Sequence, residues 1–232
     1  MTHLLSRKEF LKLEAEAWPA NEVLKWGLER FGERLALATA FGAEGMVLID
    51  MASRLRPSFR VFTIDTDFLF PETYALMDEA AERYSLQLER ARPALTPAEQ
   101  AREFGEALWT RDPDRCCELR KIAPLKAKLD DLDAWVTGLR REQSPTRRHV
   151  RKVDWDEQYG LVKLNPLADW TYPQVWAYLR DHGVPYNPLH DRNYTSIGCT
   201  HCTRPVRPGE HFRAGRWPGF LKTECGLHTQ TS

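Results

Sequence analysis

Four of the five cysteines of this chain fall into two tight pairs, and the fifth stands alone near the C-terminus. Cys116 and Cys117 are adjacent, Cys199 and Cys202 form a C-x-x-C, and Cys225 lies in Glu224-Cys225-Gly226-Leu227-His228. A structural zinc site usually draws on C-x-x-C twice, because two residues of slack let both thiolates reach one ion. Cys116-Cys117 has no slack. Adjacent thiolates suit separate corners of a larger cluster, and a four-iron, four-sulfur cube takes one thiolate per iron. One such [4Fe-4S] cluster held by Cys116, Cys117, Cys199 and Cys202 is therefore the leading expectation, ahead of zinc and of unrelated buried thiols.

Cys225 invites different chemistry. The segment before it carries Arg204, Arg207, His211, Arg213, Arg216 and Lys222, and His228 follows. Cations favour a thiolate over a thiol and draw an anionic substrate. An accessible nucleophile is the expectation for Cys225, against the bland reading of a lone thiol. Arg120 and Lys121, just after the first pair, are placed to offset thiolate charge, unless they belong to a solvated basic helix face.

Composition narrows the class. The chain has 232 residues, with 33 Lys and Arg against 33 Asp and Glu. A balanced charge gives no field for nucleic acid or membrane, and no nucleic-acid-reading motif is present. No apolar stretch approaches the length of a membrane span. The first residues lack the apolar core and cleavage site of a secretory signal. A cytoplasmic protein is expected, in which thiols are metal ligands or catalysts rather than structural disulfides.

The elements that must position these residues alternate. Ser6–Glu9 fits a capping box, and Pro19 opens a helix through Leu24, Leu28 and Phe31. Leu35–Ala40 is an apolar run suited to a buried strand. Gly42–Gly45 turns into a helix through Met46, Ile49 and Leu55. Phe59–Ile64 is a second strand, and Pro71 opens a helix to about Tyr84. Leu86–Leu88 is a weaker strand, Thr96–Glu99 another capping box, and Ala134–Leu139 a further strand. Leu161–Leu164 reads as a strand and Thr171–Gly183 as a helix. Such alternation implies an α/β fold, a twisted and mostly parallel sheet with helices on both faces. The expected organisation is one domain over 1–232: N-terminal helices at 1–33, a nucleotide-binding core at 34–183, and an irregular tail at 184–232 that binds the cluster and carries the nucleophile.

In such sheets ligands bind beyond the carboxyl ends of the strands. That rim holds Ala40–Gly45, Asp65–Phe70 and Arg140–Arg148. Gly42, Ala43 and Glu44 begin a helix whose backbone N–H groups can cradle an anion. Asp65 and Thr66 end the second strand. Arg140–Arg148 is a basic loop that suits phosphate or sulfate.

Together these residues resemble the phosphosulfate reductases, and within them the assimilatory adenylyl-sulfate (APS) reductases. The resemblance covers roughly Leu35 to His228. It is carried by Cys116-Cys117 with Arg120-Lys121, by Cys199-x-x-Cys202, by Glu224–His228, and by Gly138-Leu139-Arg140-Arg141-x-Gln143-Ser144. It implies a fold like the adenine-nucleotide α-hydrolases. In that wider group the first loop reads Ser-Gly-Gly-x-Asp-Ser and holds ATP's pyrophosphate, whereas here it reads Ala40-Phe41-Gly42-Ala43-Glu44-Gly45. The second loop commonly reads Asp-Thr-Gly, and here Asp67 stands for the Gly.

The resemblance further implies thioredoxin-dependent reduction of APS to sulfite and AMP in sulfate assimilation, through an S-sulfonate on Cys225. Lys121, Arg213 and Arg216, with His228 nearby, then serve the phosphosulfate. Gly42, Ala43, Glu44, Asp65, Thr66, Arg140 and Ser144 serve the nucleotide. The nearest rival is a 3′-phosphoadenylyl-sulfate (PAPS) reductase, a branch that typically lacks both cysteine pairs. An ATP-using enzyme of the same fold and a non-enzymatic metal-binding module are rivals of other classes. The sequence does not set the oligomeric state, and a homo-oligomer is compatible with it.

Overall fold

The computed structural model describes residues 14–228; the Ser6–Glu9 capping box lies outside them. Helix α1 (Ala20–Phe31) leads to strand β1 (Leu35–Ala38), followed by α2 (Ala43–Leu55), β2 (Arg60–Ile64), α3 (Pro71–Arg83) and β3 (Gln87–Ala91). Then come α4 (Pro97–Phe104), α5 (Leu108–Arg111), α6 (Pro113–Cys117), α7 (Ala123–Leu129), β4 (Ala134–Val136), β5 (Val153–Asp156), β6 (Leu161–Leu164) and α8 (Tyr172–Asp181). The sheet runs β3-β2-β1-β4-β6-β5, parallel throughout except where β5 pairs antiparallel with β6.

The strands read as apolar runs because both faces are covered. Leu35, Leu37, Val61 and Val136 face α1, α2, α3 and α8, against Leu24, Met46, Leu48, Met77 and Val175. The alternate residues Ala36, Phe62 and Trp135 face α7, against Leu125 and Leu129. Period-two alternation thus serves two cores rather than core and solvent.

Local chemistry moves several expected boundaries. The first strand stops at Ala38 rather than Ala40. Phe41 turns into the left-handed region at φ 55°, and its N–H donates to Thr39 Oγ1 at 2.9 Å. Pro19 precedes the first helix instead of opening it, as the cap before Ala20. The weak third strand lies later than expected, at Gln87–Ala91, on a sheet edge where half-exposed polar residues are tolerated. Strand β5 has no counterpart in the sequence reading. Its Val-Asp-Trp-Asp carries two charges, and it is held by pairing to β6. The expected capping box at Thr96 forms, and the structure adds one at Thr171 on α8.

Between α6 and α7 the backbone opens into a π turn over Glu118–Ile122. Pro124 lacks the N–H that a regular helix would donate to the Arg120 carbonyl, so the hydrogen-bond ladder shifts there. This places Cys116 and Cys117 at the end of one helical segment, with Arg120 and Lys121 in the bulge.

The chain runs outward from β1 through β2 to β3, then crosses to β4 on the other side of β1. The β1/β4 boundary is the topological switch point, where the flanking loops diverge and leave a crevice.

Candidate active site

A cavity of about 240 Å³ fills that crevice. Its floor is the loop after β1 with the start of α2 (Thr39–Gly45) and the turn after β4 (Thr137–Leu139). The two approach closely. A Cβ on Gly138 would meet the Glu44 Cβ at 2.9 Å, and one on Gly45 would meet Thr39 Oγ1 at 2.1 Å. Glycine is the residue that fits both places.

The C-terminal segment closes the other side. Lys121, Arg213, Arg216, Cys225 and His228 all line this cavity, together with Gly42, Ala43, Glu44 and Thr66. The structure thus gathers residues more than 180 positions apart around one space. Burial pushes the Lys121 ammonium down, but the sulfurs of Cys199, Cys117 and Cys225 outweigh it and hold the group charged. Arg213 is brought down to about 10 by burial and by repulsion from Arg147 and Arg216. The Nε atoms of Arg213 and Arg216 are buried without a hydrogen-bond partner. Both residues line the cavity, and cations whose donors are not all spent on the protein suit an anionic ligand.

Three predicted nucleotide residues do not line the cavity. Asp65 is buried behind it, accepting from Tyr74 Oη at 2.7 Å and from the Asp67 N–H at 3.2 Å. Arg140 is 1% exposed and ion-paired to Glu44 at 2.8 Å and Glu142 at 2.9 Å. It braces the loop and neutralises Glu44 in the first turn of α2. Ser144 donates to the Glu224 carboxylate at 3.1 Å, so it faces the tail. Asp67, at the expected glycine position, keeps glycine-like backbone at φ 60°, and its carboxylate pairs with Arg120 at 3.0 Å.

Sequence reading missed two organising residues. Trp217 is 1% exposed and sits in left-handed backbone at φ 45°. Around its ring stand Arg216 at 4.6 Å, Lys222 at 5.6 Å, Lys121 at 5.8 Å and Arg213 at 5.9 Å. The ring's negative face helps gather cations that would otherwise repel. Arg147 is the second, forked onto Glu224 beside Cys225 at 2.7 and 2.9 Å. A lone Trp in a Pro/Gly-rich stretch and one Arg of a basic run give no sequence signal for either role.

The four paired cysteines line a second, smaller cavity with Phe68, Trp109, Arg120, Lys121 and His201. Trp109 stacks flat on His201 at 3.8 Å and walls it off. Cys199 Sγ lies 3.3 Å from Thr66 Oγ1. Burial, then the neighbouring sulfurs, pushes Cys116 up to about 12 and Cys202 up to about 11. Among the described residues, no group of three or more His, Cys, Asp or Glu is arranged to hold a metal ion. The donor set nevertheless fits a larger cationic group bound by several sulfurs. All four thiols are buried, burial also pushes the Cys117 thiol up, and a bound metal is what holds such sulfurs as thiolates. Arg120 Nη2 beside them is buried without a partner.

The sheet defines the class first, an open and mostly parallel α/β fold with a cavity at its topological switch point. FMN adenylyltransferase from Candida glabrata has a similar fold, with TM-score 0.59 and 17% identity over 86% of this chain and 70% of that one. The model of the phosphoadenosine phosphosulfate reductase domain matches residues 34–205, and the chain belongs to that family. Phosphoadenylyl-sulfate (PAPS) reductase from Candida auris, solved as a phosphate complex, is similar with TM-score 0.76 and 32% identity, over 88% of this chain and all of that one. The adenosine 5'-phosphosulfate reductase of Halalkalibacterium halodurans is 52% identical over 208 residues, 89% of this chain and 90% of that protein. That of Salinibacter ruber is 47% identical over 225 residues, 97% of this chain and 89% of that protein.

Proposed function

We propose that this enzyme reduces adenylyl sulfate to sulfite and AMP, with Cys225 as nucleophile and an external dithiol such as reduced thioredoxin as electron donor. The observation that carries this is the convergence of Cys225, Lys121, Arg213 and Arg216 on the cavity at the sheet's switch point. Relatives named adenosine 5'-phosphosulfate reductase, at 52% and 47% identity, support APS as the substrate.

The adenylate lies along the β1 and β4 loops, and the sulfuryl group points to Cys225. The Cys225 thiolate attacks the sulfur, the bond from sulfur to the phosphate oxygen breaks, and AMP leaves. Lys121, Arg213 and Arg216 offset charge on the sulfuryl oxygens and on the departing phosphate. His228, kept neutral by burial, lines the cavity beside them. A thiolate of the donor then attacks Cys225 Sγ. It forms a mixed disulfide and expels sulfite. The donor's second thiol resolves that disulfide and restores Cys225. Sulfur gains two electrons, and two donor thiols lose them. Core and tail act as one functional unit, in keeping with a single domain over 1–232, and the reaction suits the cytoplasm, where dithiol donors are kept reduced. Among the described residues no helix is long and apolar enough to cross a membrane.

Cys116, Cys117, Cys199 and Cys202 would hold a four-iron, four-sulfur cluster, which when bound ties the Cys199 loop to α6 and adds local charge. Both electrons come from thiols. Arg120 and Lys121 balance the sulfurs, and Lys121 faces both cavities.

The test is sulfite release from APS and from PAPS with reduced thioredoxin, compared as kcat/KM. A strong preference for APS is expected. A preference for PAPS would favour the second reading, which the Candida auris structure supports.

A further inference from the structure

The tail that carries Cys225 is pinned on both sides of it. On the far side, Leu227 packs against the α7-facing core, and the His228 ring stacks on Trp135 at 5.5 Å. Gly226 has φ 85°, and a Cβ there would meet Ile122 Cδ1 at 2.8 Å, so the backbone lies hard against the π turn. On the near side the attachment is ionic. Arg147 Nε and Nη2 donate to Glu224 at 2.9 and 2.7 Å, Ser144 Oγ at 3.1 Å and Thr146 Oγ1 at 3.2 Å. Arg213 Nη2 adds a donor at 3.3 Å.

We infer that Glu224 is the positioning residue for Cys225: its carboxylate latches the tail into the seat formed by Ser144, Thr146, Arg147 and Arg213, and so holds the thiol over the cavity. The inference rests on Cys225 being the nucleophile, and goes beyond that reading by assigning the residue beside it.

Two observations separate a latch from a carboxylate that merely fills the substrate's seat. Each of the three nitrogens of Arg147 already has a protein partner. Two of its nitrogens serve Glu224, and Nη1 donates to Gln143 Oε1 at 2.5 Å. Gln143 in turn donates to Glu44 Oε1 at 3.0 Å, so the latch is braced against the first turn of α2. The unspent donors are elsewhere, on the Nε atoms of Arg213 and Arg216. The cations are thus divided between holding the tail and meeting a substrate, with Arg213 serving both.

The experiment uses the full chain and the variants Glu224→Gln, Glu224→Ala and, as control, Glu210→Gln, which breaks a tail ion pair with Arg204 that does not line the cavity. Alkylation of Cys225 by iodoacetamide is followed by peptide mapping, and steady-state kinetics are measured with APS. Losing a charged hydrogen bond is worth at least about tenfold. Alkylation of Cys225 should therefore rise about tenfold in both Glu224 variants. kcat should fall by a similar factor, with KM for APS held within about twofold. The Glu210→Gln variant should match the parent. Glu224→Gln is nearly isosteric and keeps the test sound if Glu224→Ala does not fold. Unchanged alkylation in both Glu224 variants would overturn the latch. So would a tenfold lower KM with kcat intact, since Glu224 would then be a competitor of the substrate. Failure of the nucleophile assignment shows separately, as turnover surviving in Cys225→Ser.

Discussion

The sheet and the C-terminal tail are held by different forces. In the sheet, Leu37, Val61 and Val136 are buried on one face and Ala36, Phe62 and Trp135 on the other, so stability follows from apolar area removed from water. In the tail, burial rests on Trp217, Leu227 and the His228 ring on Trp135, and the rest of its attachment comes from Glu224 with Arg147 and Arg213, from Lys222 with Asp114, and from cations around Trp217. An isolated bridge of Leu69 with Cys199 ties it to the loop after β2, and one of Thr203 with Arg216 closes it on itself. A core built on burial is rigid and insensitive to conditions near neutrality. A tail built largely on charge can release, and in the proposed reaction, where the Cys225 thiol meets first a nucleotide and then a bulky dithiol donor, an attachment of that kind is needed.

That division orders the expected effects of substitution. The largest is Cys225→Ser, which should lower turnover by at least about 10⁴-fold while nucleotide binding persists, measured by single-turnover sulfite release and by titration with AMP. Next are Lys121→Ala and Arg216→Ala, each losing about 10²–10³ in kcat, as removal of a donor to transition-state charge commonly does. Near-normal kinetics in both would show that the cations around Trp217 serve only the tail's structure. In the sheet, Leu37→Ala should cost about 2–5 kcal/mol by leaving a cavity, read by denaturant unfolding, with kcat near normal while the protein stays folded. A large kcat loss without loss of stability there would erase the contrast between the regions.

The pH dependence separates them again. Burial first, then Lys163, Arg147 and Arg213, hold the His228 imidazole well below its usual range. A released tail would carry an ordinary histidine with pKa about 6.5. Above that value both states are neutral and docking is at full strength. As pH falls below it, the released tail takes up a proton that the docked tail resists, so docking weakens. Hydrogen exchange over residues 222–228, corrected for its intrinsic pH dependence, should accelerate below about pH 6.5 while β1 and β4 stay protected. The smallest effect is Thr96→Ala, which removes the α4 cap at about 1 kcal/mol of stability and leaves turnover unchanged.

Legibility in the sequence follows the same line. The central strands were readable because burial on both faces demands continuous apolar runs, and the cysteine pairs because their spacing is chemistry in itself. Strand β5 was not, since Val153-Asp154-Trp155-Asp156 is defined by its partner. Arg140 looked like an anion ligand because a basic loop at a strand end usually faces the ligand. Its guanidinium turns inward to Glu44 instead, and side-chain direction has no sequence signature. Trp217, Arg147 and Glu224 went unread for a related reason. Each is a single residue whose role exists only once the tail has folded back over the sheet.

Whether Cys225 attacks the substrate's sulfur is read directly by one measurement. Protein freed of reductant is mixed with APS, without any dithiol donor, and its intact mass and peptide map are recorded. The expected result is the added mass of a single sulfonate, located on Cys225 and removed on addition of reduced thioredoxin with release of sulfite. An unmodified protein that has nevertheless formed AMP, or a sulfonate on any other cysteine, would contradict it.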